Sequence, residues 1–273
     1  MGDQLVGRRI RLLAALGLAA AVAAACNSGN QNVPGPTSPS GPTTLTPCGV
    51  VSGQTAGSVA IVNGSSCSDS SASVAYLKLK DKGGKDFGTC SGTVISATAV
   101  LTAAHCLADT GSLTINFGAK EIPAASFSYS PNYNGTASDS IDVGVVIASS
   151  PLGQPIVPLL ASREPKVNET VVIAGYGQST LQAGAGTLRA GATTMSDVGA
   201  YYLVTNAGLN GSGACPGDSG GPLLVSLSGY WAIAGVTSTL SGPCVVATNR
   251  FMNIRNSTAW SFILSKASGT EQR

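Results

Sequence analysis

The sequence predicts an all-β body, built as a sandwich or as barrels, behind an export leader and a polar tether. Three observations carry that prediction. Charged residues make up only 10% of the 273-residue chain and glycine reaches 35, which argues against a helical bundle and against a disordered chain. From about residue 59 onward, short β-rich runs alternate with Gly-, Asn- and Pro-rich turns. Helical spacing occurs only near the end of the chain.

The leader comes first. Arg8, Arg9 and Arg11 precede an apolar run, Leu12–Ala25, that is shorter than the ~20 residues a bilayer span needs. Residues 1–25 therefore read as a signal peptide. The run ends in "AVAAAC". Ala23-Ala24-Ala25 fits a small-residue cleavage site, and with Cys26 it also resembles a bacterial lipobox, although Ala23 stands where leucine is usual. Either reading cuts at the same bond. The lipobox makes Cys26 a lipid-bearing first residue and a membrane anchor; the other reading gives an ordinary secreted N-terminus. Residues 27–47 are rich in Pro, Gly, Ser and Thr. They bury too little apolar surface to offset their ordering entropy. The span 26–60 thus reads as a lipoprotein-type tether and pro-segment, with an inert spacer as the alternative.

The strand runs follow in order: "SVAYLKL" (73–79), "GTVIS" (92–96), "AVLTA" (99–103), "SLTINFG" (112–118), "IDVGVVIA" (141–148), "TVVIAGYG" (170–177), "GPLLVSL" (221–227) and "WAIAGVTS" (231–238). The lysine-rich "KLKDKGGKD" (78–86) reads as a solvated hairpin. In "RNSTAWSFILSKA" (255–267), Ala259, Phe262, Ile263 and Lys266 share one helical face. A net charge of +2 gives no basis for a nucleic-acid partner. One histidine leaves no His-rich metal site, and the seven cysteines form no C-x-x-C pair. No metal, nucleotide or organic cofactor is expected.

Chemistry is concentrated in "CPGDSGGPLL" (215–224). Ser219 is either a turn residue in a Gly-rich loop or a nucleophile. A serine hydroxyl attacks only when a base takes its proton. That base needs an orienting acid, and the carbonyl needs oxyanion donors. The one histidine, His105, lies in "VLTAAHC", where a lone His beside Cys106 is by itself more often structural.

Together, "CSGTVIS…VLTAAHC" and "CPGDSGGPLL" resemble the chymotrypsin/trypsin family of serine proteases, and more particularly its bacterial, elastase-like members. The likeness runs from residue 61 to about 265. It takes in "IVNG" (61–64), "DVGVV" (142–146), "VVIAGYG" (171–177), "GVTS" (235–238) and "AWSFI" (259–263), in the family's order. It implies an all-β fold of two six-stranded antiparallel β-barrels packed together, with a C-terminal helix, a protease domain over 61–273 and an active site in the cleft between the barrels. It makes Ser219 the nucleophile, His105 the general base and Asp142 the orienting acid. Asp139 in "DSIDVGVV" is the rival acid. Ser238 would bond the acid, and the N–H groups of Gly217 and Ser219 would form the oxyanion hole.

The same resemblance assigns Asp218 to pair with a new α-amino group at Ile61, released by cleavage after Ala60, so the precursor is expected to be inactive. Ala60 is not the Arg or Lys common at such sites. The pocket floor falls at Gly213 and its wall at Ser238, Thr239 and Leu240, with Asn249 as the candidate opposite side. An uncharged floor and a leucine wall imply cleavage after small apolar residues, and hence a site able to accept Ala60 itself. Cys90–Cys106 and Cys215–Cys244 follow the family's pairing. With Cys26 lipidated, Cys48 and Cys67 remain to pair across the cut. The chain thus reads as an exported monomeric serine endopeptidase acting on proteins or peptides. One rival is a catalytically inactive protease-fold binding protein at the cell surface. Another is a surface adhesion module that only mimics the motifs. The presence of His105, Asp142 and Ser219 together argues against both.

Overall fold

The computed structural model describes residues 46–52, 64–135, 137–179, 184–206 and 211–273. A short helix, α1 (Pro47–Ser52), comes first, and a two-residue strand, β1 (Ser65–Ser66), follows. The first barrel comprises β2 (Val74–Lys80), β3 (Asp86–Val94), β4 (Ala99–Thr102), β5 (Ser112–Phe117), β6 (Lys120–Tyr129) and β7 (Gly144–Ala148). It closes in the order β2-β3-β4-β7-β6-β5. The second comprises β8 (Thr170–Gly175), β9 (Arg189–Val198), β10 (Tyr202–Asn206), β11 (Pro222–Leu227), β12 (Tyr230–Ser241) and β13 (Thr248–Asn253). Its order is β9-β10-β13-β12-β11-β8, closed by β8 against β9, with β1 added outside β9. A C-terminal helix, α2 (Ser257–Lys266), completes the fold. Among the described residues no helix is long and apolar enough to cross a membrane.

Strand alternation explains the first barrel. In β2, Leu77 and Leu79 are buried while Lys78 and Lys80 face out, the period-two pattern of a strand with one wet face. In β5, Leu113, Ile115 and Phe117 are buried in the same way. Residues 81–85 turn the lysine-rich hairpin: Asp81 N–H donates to Lys85 O at 2.9 Å, and Asp81 Oδ1 accepts from Gly83 N–H at 2.8 Å. Strands β6, β9, β10 and β13 have no counterpart among the runs that stand out in the sequence. Their patterns are polar or broken, as in "KEIPAASFSY" and "TNRFMN", and cross-strand pairing supplies what propensity does not.

One strand start and one helix face differ from expectation in ways that bear on the site and the core. The run 141–148 becomes strand only at Gly144. Residues 141–143 leave the ladder, with Ile141 N–H donating to Asn132 O. The helical face also shifts. Asn256 caps α2 through its side chain, accepting from Thr258 N–H and Ala259 N–H. Ala259, Phe262 and Ile263 are then buried, and Lys266 is exposed.

The segment 26–60 is more than tether. In its described part, α1 buries Cys48 and Val51, each 1% exposed. Ser73 N–H and Ser73 Oγ–H both donate to Val51 O, at 2.9 and 3.2 Å. Cys48 is bridged to Cys67. An apolar valine and a cysteine bond override the weak propensity of a six-residue helix. The bridge closes a loop with a sequence separation of 19, for which chain entropy predicts about 3 kcal/mol of stabilisation. The double variant Cys48→Ser/Cys67→Ser should lose about that amount in urea unfolding; a loss below about 0.5 kcal/mol would show that α1 is held by packing alone.

Candidate active site

His105 is placed by a short apolar strand that ends in a tight turn. After β4 the chain enters a 3-10 turn, Ala104–Cys106, closed by Leu107 N–H to Ala104 O at 2.9 Å. Cys106 is bridged to Cys90 on β3, so the turn is fastened on both sides of the histidine. The His105 side chain is 29% exposed and the Asp142 side chain only 3%. Asp142 lies just before β7, in the stretch that leaves the ladder. Its Oδ1 accepts the His105 backbone N–H at 2.9 Å, and its Oδ2 lies 2.8 Å from His105 Nδ1. Ser238 Oγ on β12 donates to the same Oδ2 at 2.6 Å.

Burial by itself would push the Asp142 carboxyl up. Its bonds from the His105 ring, Ser238 Oγ–H and the His105 N–H outweigh that and hold it below the usual carboxylate range. An ionised Asp142 fixes the proton on Nδ1, which leaves Nε2 as the nitrogen able to accept a proton. The rival Asp139 is exposed and, among the described residues, accepts only from Asn134 Nδ2, at 3.4 Å.

Ser219 sits on a turn with close backbone constraints. Gly217 has φ 97° and Gly220 φ 82°, a region that favours glycine. A Cβ on Gly220 would collide with Thr102 Oγ1 and Ser91 O, and one on Gly217 would lie 2.9 Å from Gly177 Cα. Ser91 of β3 ties this turn to the first barrel. Its N–H donates to Ser219 O at 2.7 Å, and its Oγ–H donates to Gly217 O at 2.9 Å while accepting from Tyr176 N–H at 2.9 Å. Among the described residues nothing accepts the N–H of Gly217 or Ser219. These two donors are therefore available to an oxyanion. No hydrogen bond joins Ser219 Oγ to His105 among the described residues.

The expected pocket residues divide by depth. Gly213 and Ser238 are buried, Leu240 is half-buried and Thr239 is exposed. Leu240 pairs with Asn249 across β12 and β13. Asn249 is fully buried, and its Oδ1 accepts Ala214 N–H at 3.1 Å. Cys215 is bridged to Cys244. Cys90, His105 and Cys106 bring ligand-type atoms within 4.8 Å, but the bridge occupies both sulfurs, so the cluster cannot hold a metal as thiolates do.

Asp218 is 3% exposed. Its Oδ1 accepts Gly177 N–H at 2.7 Å and its Oδ2 accepts Cys215 N–H at 2.8 Å. Ile61, its expected partner, and Cys26, the expected lipid site, lie outside the described residues. Sequence reasoning passes over Ser91, although it stands inside the motif "CSG", and over Arg189 and Tyr202. Tyr202 of the second barrel donates its OH to Ser140 O at 3.2 Å, bracing the loop that carries Asp142. Nothing in the sequence marks Arg189 or Tyr202.

Comparison with known proteins places this geometry in context. A family profile described as Trypsin matches residues 61–260. Vitamin K-dependent protein C of Rattus norvegicus and that of Mus musculus are each 27% identical over 186 residues, which cover 55% of this chain. The chain spans 40% of the length of these curated relatives. Among solved structures, HL collagenase matches with TM-score 0.64 and 20% identity, over 75% of this chain and 97% of its own. Neuropsin, a serine protease expressed in the limbic system of mouse brain, matches with TM-score 0.60 and 23% identity, over 74% and 98%. At these identities the two structures speak for the fold.

The environment of Asp218 has a measurable consequence for the uncut chain. Burial pushes its carboxyl from 3.8 up to about 6, against the pull of the Cys215 and Gly177 N–H groups and of Arg189. The folded state thus holds a proton that the unfolded chain releases. That contribution to stability is complete below pH 3.8 and is lost as pH rises through about 6. Urea titrations of the uncut protein should show stability falling across this window relative to Asp218→Asn. Parallel curves would refute the assignment.

Proposed function

The chain belongs to the trypsin family, and on that premise we propose that it is a serine endopeptidase that works through an acyl-enzyme formed on Ser219. The observation that carries the proposal is the Asp142 carboxylate, which receives the His105 backbone N–H, faces His105 Nδ1 and receives Ser238 Oγ–H. In the proposed reaction, Ser219 Oγ attacks the peptide carbonyl as His105 Nε2 takes its proton. The carbonyl oxygen gains negative charge and is met by the N–H groups of Gly217 and Ser219. The C–N bond then breaks, and His105 returns the proton to the leaving amine. Water repeats the sequence on the ester and releases the acid. Asp142 stays ionised throughout and stabilises the imidazolium.

For specificity, an uncharged Gly213, a half-buried Leu240 and a buried Asn249 give a site whose expected lining carries no anion to attract Lys or Arg. Small apolar side chains such as Ala or Val fit it best. For activation, cleavage of Ala60–Ile61 would free an amine four residues ahead of Ser65. Ser65 and Ser66 pair with Ala190 and Arg189 of β9. An extended chain covers at most ~3.6 Å per residue, so the new terminus would lie within about 14 Å of Ser65. The Cys48–Cys67 bridge would keep α1 attached after the cut. Three disulfides suit an oxidising compartment. The reading adds export by residues 1–25, a tether and pro-segment over 26–60, a protease domain over 61–273 and anchoring through lipid on Cys26.

Peptide p-nitroanilides that vary the residue before the scissile bond test the proposal. Ala and Val should give the highest kcat/KM, with Arg lower by at least about 100-fold. His105→Ala, Asp142→Asn and Ser219→Ala should each lower kcat by on the order of 10⁴-fold or more, with the fold intact. Ser219→Ala should also leave Ala60–Ile61 uncut when purified free of other proteases. Full turnover by Ser219→Ala would contradict the mechanism. A preference for Arg would contradict the pocket, and a processed Ser219→Ala chain would contradict self-cleavage.

A further inference from the structure

Three charged side chains are buried among the described residues: Asp142, Asp218 and Arg189, the last 9% exposed. Asp142 is matched by His105. Asp218 and Arg189 remain, of opposite sign, on either side of one residue. Gly177 N–H donates to Asp218 Oδ1 at 2.7 Å, and Arg189 Nη1 donates to Gly177 O at 2.8 Å. Arg189 Nε is buried with no partner among the described residues. A guanidinium placed this deep is costly unless an anion lies close, and in a poorly polarisable interior its field reaches across a peptide unit. Its field is among the influences that favour the ionised form of Asp218 against burial.

Asp218 governs the turn that ends at Ser219. Its carboxylate receives Cys215 N–H, its own N–H donates to Cys215 O, and its carbonyl receives Gly221 N–H. Whatever holds Asp218 in place therefore holds the donors at Gly217 and Ser219. Arg189 also pairs through its backbone with Ser66, on the strand that leads back toward Ile61. The resident guanidinium, on β9, and the incoming amine, ahead of β1, would approach the same carboxylate from two paired strands. A fully inactive precursor could not make its own first cut; a precursor with a built-in cation could.

We propose that Arg189 is a positioning residue whose guanidinium serves as the resident counter-cation of Asp218 while Ala60–Ile61 is intact, holding the oxyanion turn well enough for the uncut chain to make the first cut. This rests on the serine-endopeptidase reading. It replaces the expectation of an inactive precursor with that of a weakly active one whose activity depends on Arg189.

The test measures kcat and KM on an alanine p-nitroanilide peptide, in the full chain kept uncut by Ala60→Asp and in the protein cut at Ile61. In the uncut chain, Arg189→Gln should lower kcat at least tenfold with KM little changed, whereas Arg189→Lys, which keeps the charge, should stay within about threefold. In the cut protein the Arg189→Gln loss should be at least fivefold smaller, because the Ile61 amine supplies the cation. Arg189→Ala serves where the Gln variant does not fold: added ethylguanidinium should restore its turnover in the uncut chain. Four results would each overturn the proposal: equal losses for Gln and Lys, equal losses in the cut and uncut chains, no rescue of a folded Ala variant, or no turnover by the uncut chain when the cut protein turns over. All four leave the endopeptidase reading standing. Absence of turnover by the cut protein would remove that reading, and this proposal with it.

Discussion

The Asp142 carboxylate is the interaction on which the rest of the site depends. It is buried at the junction of the two barrels and takes bonds from both. His105 N–H and the His105 ring come from the first barrel, and Ser238 Oγ–H comes from β12 of the second. A buried anion is tolerated only when such donors surround it. The constraint works in both directions. The donors keep the acid charged, and the charged acid fixes the tautomer and plane of the imidazole. The irregular stretch before β7 is what lets the carboxylate turn toward His105 instead of continuing the ladder.

The serine turn depends on a second set of contacts, again shared between barrels. Ser91 of β3 holds the carbonyls of Gly217 and Ser219 from one side, and Asp218 holds Gly177 and Cys215 from the other. The Cys90–Cys106 bridge sits beside Ser91 and beside His105. One short region of the first barrel therefore places the histidine and anchors the turn of the serine. This explains why the cysteine, serine and histidine motifs occur together even though they are far apart in the chain. Each glycine around Ser219 stands where a backbone or a neighbouring side chain leaves no room for a Cβ.

Much of this architecture is legible in the amino-acid sequence. Strongly alternating or continuous apolar runs mark β2, β5, β8 and β11, because burial of one or both faces leaves a period in the sequence. Polar strands such as β13 leave none, since their place is fixed by partners distant in sequence. The motif residues His105, Asp142 and Ser219 are readable because their chemistry constrains residue type. Arg189 is not readable. A lone arginine in "TLRAGATTM" looks like any solvated surface charge, and only the fold turns it inward against Gly177. Helix α1 is hidden for a related reason: within a Pro- and Gly-rich segment, its two apolar contacts, Val50 and Val51, and the bridge from Cys48 carry too little local signal.

The central claim is that Ser219 is a nucleophile activated by His105. Fluorophosphonate labelling of protein beginning at Ile61, with mass spectrometry to locate the adduct and His105→Ala as the control, tests it most directly. The account predicts one adduct, on Ser219, which disappears in the control. Folded protein cut at Ile61 that takes no adduct, or takes one equally well without His105, would contradict it.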